Sequence, residues 1–160
     1  MMIHQYDVKI RWIGNTGEGT KTYQSYQRDF IIESENKPAI SGSSDPAYRG
    51  NPERWNPEDL IVAAASACHK LWYLHLCAMN HICVVDYIDH ASGFMEDTHP
   101  EKRGHITQVI LKPHIILKTG ANLDIANQLH KQAHHECMIA NSVNFPILCE
   151  ASFEVEGQKK

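Results

Sequence analysis

The order of hydrophobic patterns along the chain predicts an α+β fold, running strands, helix, strands, helix, strand. Three observations carry this. Near the N-terminus Tyr6, Val8, Ile10 and Trp12 alternate with Asp7, Lys9 and Arg11, the two-residue period of a half-buried strand. The stretch NPEDLIVAAASACHKLWYLHLCAMNH, from Asn56, is apolar at helical spacing over many turns. Near the C-terminus CEASFEVE alternates again, with Cys149, Ala151, Phe153 and Val155 on one face. Two principal helices on a mostly antiparallel sheet fit that order, and 160 residues suit one domain over 1–160.

The elements follow in chain order. After the first strand, the glycines of GNTGEGT make a turn, and KTYQSYQRDFIIES supplies a second extended stretch, so the chain opens as a hairpin or meander. Residues 37–55 are rich in Pro, Gly and Ser, and are too long for a plain connection; loops of that length are often functional. Asn56 then suits an N-cap, Pro57 the first helical position, and Glu58 and Asp59 the positive end of the helix dipole. Within the helix Ile61, Ala65, Cys68, Trp72, Leu76 and Met79 form one apolar stripe and Leu60, Ala64, Ala67, Leu71, Leu74 and Ala78 a second, which predicts burial on most sides. CVVDYIDHASGFM and RGHITQVILKPHIILK read as strands joined by the polar turn EDTHPEKRG. A second helix is predicted from about Asn122 to Cys137, with Ile125, Leu129 and Ala133 inward, and MIANSV as a short further helical segment. MMIHQ and EGQKK are expected to fray.

Composition removes several classes of function. A formal charge of -4 and no basic block argue against nucleic-acid or anionic-membrane partners. No charged leader precedes an apolar run, and no stretch reads as an uninterrupted membrane span, so the expected compartment is the cytosol. Five cysteines in a reducing compartment are free thiols, ligands or redox groups rather than a disulfide framework. There is no Gly-rich phosphate loop after a strand and no GxSxG nucleophile elbow.

Cys68 lies within the apolar helix, where a cysteine either packs as a small hydrophobe or acts as a thiolate. The second role needs a cation. Lowering a thiol pKa from about 8.5 to about 6 takes about 3.4 kcal/mol, and the helix dipole fades within its first turn, so an arginine must supply it. Arg49 and Arg54, just upstream of the helix, are the candidates. Cys137 is the second candidate thiol, at a helix break where a helix N-terminus would lower its pKa. A competing metal reading rests on His130, His134 and Cys137, whose spacing shares one helical face. With eleven histidines such spacings also arise by chance.

The segment NPEDLIVAAASACH resembles the OsmC/Ohr family of osmotically inducible and organic-hydroperoxide-resistance proteins, in its Asn56-Pro57-Glu58 helix start, alanine-rich turn and Cys68, with Cys137 in AHHECMIANSV as the second cysteine. The resemblance covers essentially the whole chain and implies an intertwined homodimer with central helices buried between sheets. It also implies a peroxidatic Cys68, a resolving Cys137, and an arginine oriented by Glu58 that holds Cys68 as thiolate. Arg49 lies nearer the family's spacing and is the expected arginine. The activity implied is reduction of organic hydroperoxides, reset by a dithiol partner such as a lipoylated or thioredoxin-like protein, in oxidative-stress defence and with no cofactor or metal. Met138 after Cys137 departs from the proline usual in family peroxidases, and CHKLWYL points to an OsmC-like branch. The alternatives are a redox-sensing or small-molecule-binding protein on the same fold, and the His/Cys metal protein.

Overall fold

In a computed structural model, which describes residues 2–99 and 102–157, the chain forms two compact units, Met1–Leu60 and Ile61–Lys160. The expected fraying of the ends falls partly on Met1 and residues 158–160, outside the described residues.

The first unit is a three-stranded antiparallel meander of β1 (Lys9–Trp12), β2 (Phe30–Glu33) and β3 (Ile40–Gly42). Lys9 and Arg11 reach across to Glu33 at 3.1 and 3.5 Å, and their hydrogen bonds hold its carboxyl below the ordinary range. The half-buried strand expected here is in fact exposed: Ile10 and Trp12 are 59% and 43% accessible, because no described residue covers their face. Residues 37–55 are not a plain loop. They hold β3 and a 3-10 turn at Pro46–Tyr48, and return so that Trp55 N–H donates to the Ser41 carbonyl and Ser43 N–H to the Trp55 carbonyl. Gly42 is required there, since a Cβ would stand 2.2 Å from the Phe30 ring.

Helix α1 (Pro57–Met79) starts as its sequence predicts. Asn56 Oδ1 accepts from Asp59 N–H at 2.7 Å, and Asp59 Oδ2 accepts from Asn56 N–H at 3.2 Å, a reciprocal cap that satisfies two end donors. The helix then buries Ala65, His69, Tyr73, Leu76 and Cys77. This is one face at 4-4-3 spacing, not the two stripes expected; Ile61, Ala64, Ala67, Leu71, Ala78 and Met79 stay exposed. By length and composition α1 is also long and apolar enough to cross a membrane, contrary to the expectation that no stretch would be. Its buried face instead packs His69 and Tyr73 among the core side chains of this unit.

The rest of the second unit comprises β4 (Val84–Asp89), β5 (Ser92–His99), β6 (Lys102–Leu111), β7 (Pro113–Leu117), α2 (Leu123–Glu136), β8 (Ile147–Cys149) and β9 (Ser152–Val155). They make two mixed sheets, ordered β4-β7-β9 and β5-β6-β8. The β4/β7 and β5/β6 pairs are antiparallel, and β6/β8 and β7/β9 are parallel. Three segments that read as continuous strands in the sequence therefore break at matching places, at His90–Ala91, Lys112 and Glu150–Ala151, and pass from one sheet to the other. Asp89 holds the corner: its carboxylate accepts from Lys112 N–H at 2.7 Å and from the Ser66 hydroxyl of α1 at 2.5 Å. CEASFEVE is thus two strands rather than one, although its inward alternation survives the break. The tip of EDTHPEKRG, residues 100–101, lies outside the described residues, while the flanking strands pair as expected.

Two cores result. Tyr73, Leu76 and Cys77 of α1 pack with Ile115 and Leu117 of β7 and with Ala126, Leu129 and Ala133 of α2. Ala65 packs with Val109, Leu111 and Ile147. Asn122 caps α2 as expected, but Ile125 faces solvent at 38% exposure, and Ala126 and His130 take the inward positions.

Candidate active site

Cys68 is half-buried in the middle of α1, and Cys137 is 2% exposed at the C-terminal end of α2. The two thiols, far apart in sequence, lie close enough that Cys68 raises the Cys137 pKa. Cys137 stops the helix by turning extended (φ -68°, ψ 108°), its N–H still donating to the His134 carbonyl at 3.3 Å. The chain then enters the expected short helical segment, a 3-10 turn at Ala140–Ser142, whose Ala140 N–H donates to Cys137 Sγ at 3.4 Å.

That donor lowers the Cys137 pKa, as a helix N-terminus would, but it loses. Burial, and then the bond with Cys68, push the thiol up to about 11. The expectation of a lowered pKa at this break is therefore corrected: Cys137 keeps its proton at neutral pH. The pair can form a disulfide if Cys68 is oxidised first.

The other expected residues lie in the first unit. Glu58 sits half-buried in the first turn of α1. Arg49 is exposed, closes the 3-10 turn in a left-handed conformation (φ 66°), and lies 5.9 Å from the Tyr23 ring centroid. Arg54 is already engaged, pairing with Asp29 at 3.0 Å.

A second cluster was missed by sequence reasoning. His69 Nε2 of α1 and His130 Nδ1 of α2 are 2.9 Å apart, and Cys149 Sγ, at the end of β8, lies 3.8 and 3.6 Å from them. The two rings are parallel to within 2°, and His130 also stacks on Tyr73 at 3.9 Å between centroids. Burial lowers the His69 pKa to about 4 and the His130 pKa to about 3, and raises the Cys149 thiol to about 11. All three are therefore neutral at physiological pH. The histidine reading is corrected accordingly: among the described residues His130 converges with His69 and Cys149, while His134 is exposed. The sequence spacing did not point to it, since His69 lies outside both apolar stripes read there.

The chain thus sets a helix-borne thiol near a second, buried thiol in an α+β fold of mixed sheets. The family model described as OsmC-like protein matches residues 50–152, and the chain belongs to that family. The structure resembles an OsmC-like protein of unknown function from Vibrio cholerae, with 26% identity, a TM-score of 0.84, and coverage of 94% of this chain and 100% of that one. It also resembles an organic hydroperoxide resistance protein from Legionella pneumophila, with 21% identity, a TM-score of 0.69, and 97% and 100% coverage. The organic hydroperoxide resistance protein OhrB of Bacillus subtilis shares 17% identity, with a TM-score of 0.64 and 94% and 98% coverage. At those two lower identities the likeness is one of fold. No curated protein matches the chain in sequence.

Proposed function

We propose that the protein is a cysteine-based peroxidase that reduces organic hydroperoxides, with Cys68 as the attacking thiol and Cys137 as the resolving one. The observation that carries the reading is the proximity of these two thiols, one on each helix, with Cys137 buried and holding its proton. The family and the hydroperoxide-resistance proteins sharing its fold support the same chemistry.

In this mechanism the Cys68 thiolate attacks the distal oxygen of the hydroperoxide. The O–O bond breaks, the alkoxide takes up a proton and leaves as alcohol, and Cys68 becomes a sulfenic acid. Cys137 sulfur then attacks Cys68 sulfur; its proton leaves with the hydroxyl as water, and a disulfide forms. A dithiol reductant returns two electrons and two protons. Arg49, oriented by Glu58, is the proposed cation that favours the Cys68 thiolate, and Arg54 is the less suitable candidate because Asp29 occupies it.

Intact-mass spectrometry after one equivalent of cumene hydroperoxide tests this. Wild type should lose two hydrogens, Cys137→Ser should gain one oxygen, and Cys68→Ser should do neither. Turnover with a dithiol should fall at least tenfold in Arg49→Ala, as expected for loss of about 1.4 kcal/mol or more of transition-state stabilisation. A Cys68→Ser variant with full peroxidase activity would sink the reading, and a single oxidation that no dithiol reverses would replace it with redox sensing.

A further inference from the structure

We infer that His69, His130 and Cys149 form a binding site for one borderline-soft divalent cation, zinc by its donor set, independent of the Cys68–Cys137 pair. The donor atoms are one thiol sulfur and two imidazole nitrogens, the ligand types of structural zinc sites. An ion bonded at about 2.0–2.1 Å to nitrogen and about 2.3 Å to sulfur in tetrahedral geometry sets nitrogen about 3.3 Å from nitrogen and about 3.6 Å from sulfur. The three atoms stand 2.9, 3.8 and 3.6 Å apart. Shifts of a few tenths of an ångström would complete that triangle, with the metal over its face.

The surroundings fit a cation better than a plain hydrogen-bonded core cluster. Two buried neutral imidazoles turn ring nitrogens towards one another and towards a thiol, and an ion would take the place of the proton that bridges those nitrogens, which shifts to the other nitrogen of its own ring. Among the described residues His130 Nε2 is buried without a hydrogen-bond partner, so it is free to carry the ring proton when Nδ1 presents a lone pair to the ion. Asp89 lies in electrostatic range of both His69 and Cys149, an outer carboxylate of the kind that supports histidine ligands. The Tyr87 hydroxyl, buried and without a hydrogen-bond partner, lies in electrostatic range of the Cys149 thiol and offers a donor to a water in the fourth position.

On binding, the metal–sulfur bond forms as the Cys149 thiol proton leaves to solvent. The ion joins α1, α2 and the end of β8 at the point where the side chains of His69, His130 and Cys149 already meet. The role is a staple: an ion that binds the folded chain and not the unfolded one raises stability by mass action.

Cobalt(II) titration of the metal-stripped full chain tests the site. One equivalent should produce a sulfur-to-cobalt charge-transfer band and the intense visible bands of four-coordinate cobalt, and zinc should displace both. Cys149→Ser should weaken binding by more than the about 10- to 100-fold that loss of an outer-shell partner costs. Cys68→Ser and Cys137→Ser should bind as wild type, which separates this result from any failure of the peroxidase reading. X-ray absorption of the wild-type zinc form should show one sulfur and two imidazole ligands, a readout that holds if Cys149→Ser misfolds. Absence of the charge-transfer band at stoichiometric cobalt, its survival in Cys149→Ser, or its loss in Cys68→Ser would overturn the inference.

Discussion

At the scale of single residues, chemistry depends on which sulfur holds the proton. Cys137 is buried beside Cys68 and its thiol is pushed up to about 11, so the protonated form prevails at pH 8. The thiolate is the reactive form, so alkylation of Cys137 should be slow at pH 8 and climb steeply up to about pH 11. Exposed Cys83 should be modified first. Peptide mapping after timed iodoacetamide treatment gives the order, and a Cys137 that reacts as fast as Cys83 would contradict its burial and proton retention. Local features at this scale were legible in the sequence: Asn56 and Asn122 cap their helices because an N-cap needs only its own neighbours. The His69–His130–Cys149 cluster was not, because its members lie 61, 19 and 80 residues apart and meet only through packing. The Cys68–Cys137 pairing was expected only through family resemblance, since spacing alone left either thiol equally able to be inert.

At the scale of elements, α1 is held against β5 by a missing side chain. A Cβ on Gly93 would stand 2.5 Å from Val62 Cγ2, and a valine in a helix has little rotameric freedom to yield. Gly93→Ala should therefore cost about 1–3 kcal/mol of stability, the usual cost of overpacking. Val62→Ala should recover part of that loss in the double variant, and urea unfolding of the four proteins measures the coupling. Additive losses would mean that the helix and strand part freely. The strand alternation that predicted these elements was readable because inward positions repeat every second residue whichever sheet they join. What it hid were the breaks at His90–Ala91, Lys112 and Glu150–Ala151. A change of sheet leaves the alternation intact, and at Lys112 it depends on a group distant in sequence, the Asp89 carboxylate. The parallel pairing of β8 and β9 was hidden for the same reason, since a strand's pattern does not report its partner's direction.

At the scale of the whole molecule, the two apolar stripes of α1 contain more hydrophobic surface than one chain covers. Only 28% of its most apolar stretch is buried, and Leu71 and Met79 are 63% and 66% exposed; in the first unit Ile10 of β1 is left open in the same way. A helix apolar on most sides is stable in water only if its remaining face is covered. The family resemblance implies an occupant, a second copy in an intertwined dimer, and we propose that such a copy covers the face the single chain leaves open. Sedimentation equilibrium of the full chain should then give twice the monomer mass at micromolar concentration. Leu71→Glu places a charge on the uncovered face without touching the Cys68–Cys137 pair or the His69 cluster. It should shift the equilibrium to monomer by at least tenfold in dissociation constant, corresponding to about 1.4 kcal/mol. A wild type that sediments as a monomer throughout the micromolar range would leave the exposed face of α1 without its expected partner. A Leu71→Glu dimer as tight as wild type would instead move the interface away from this helix.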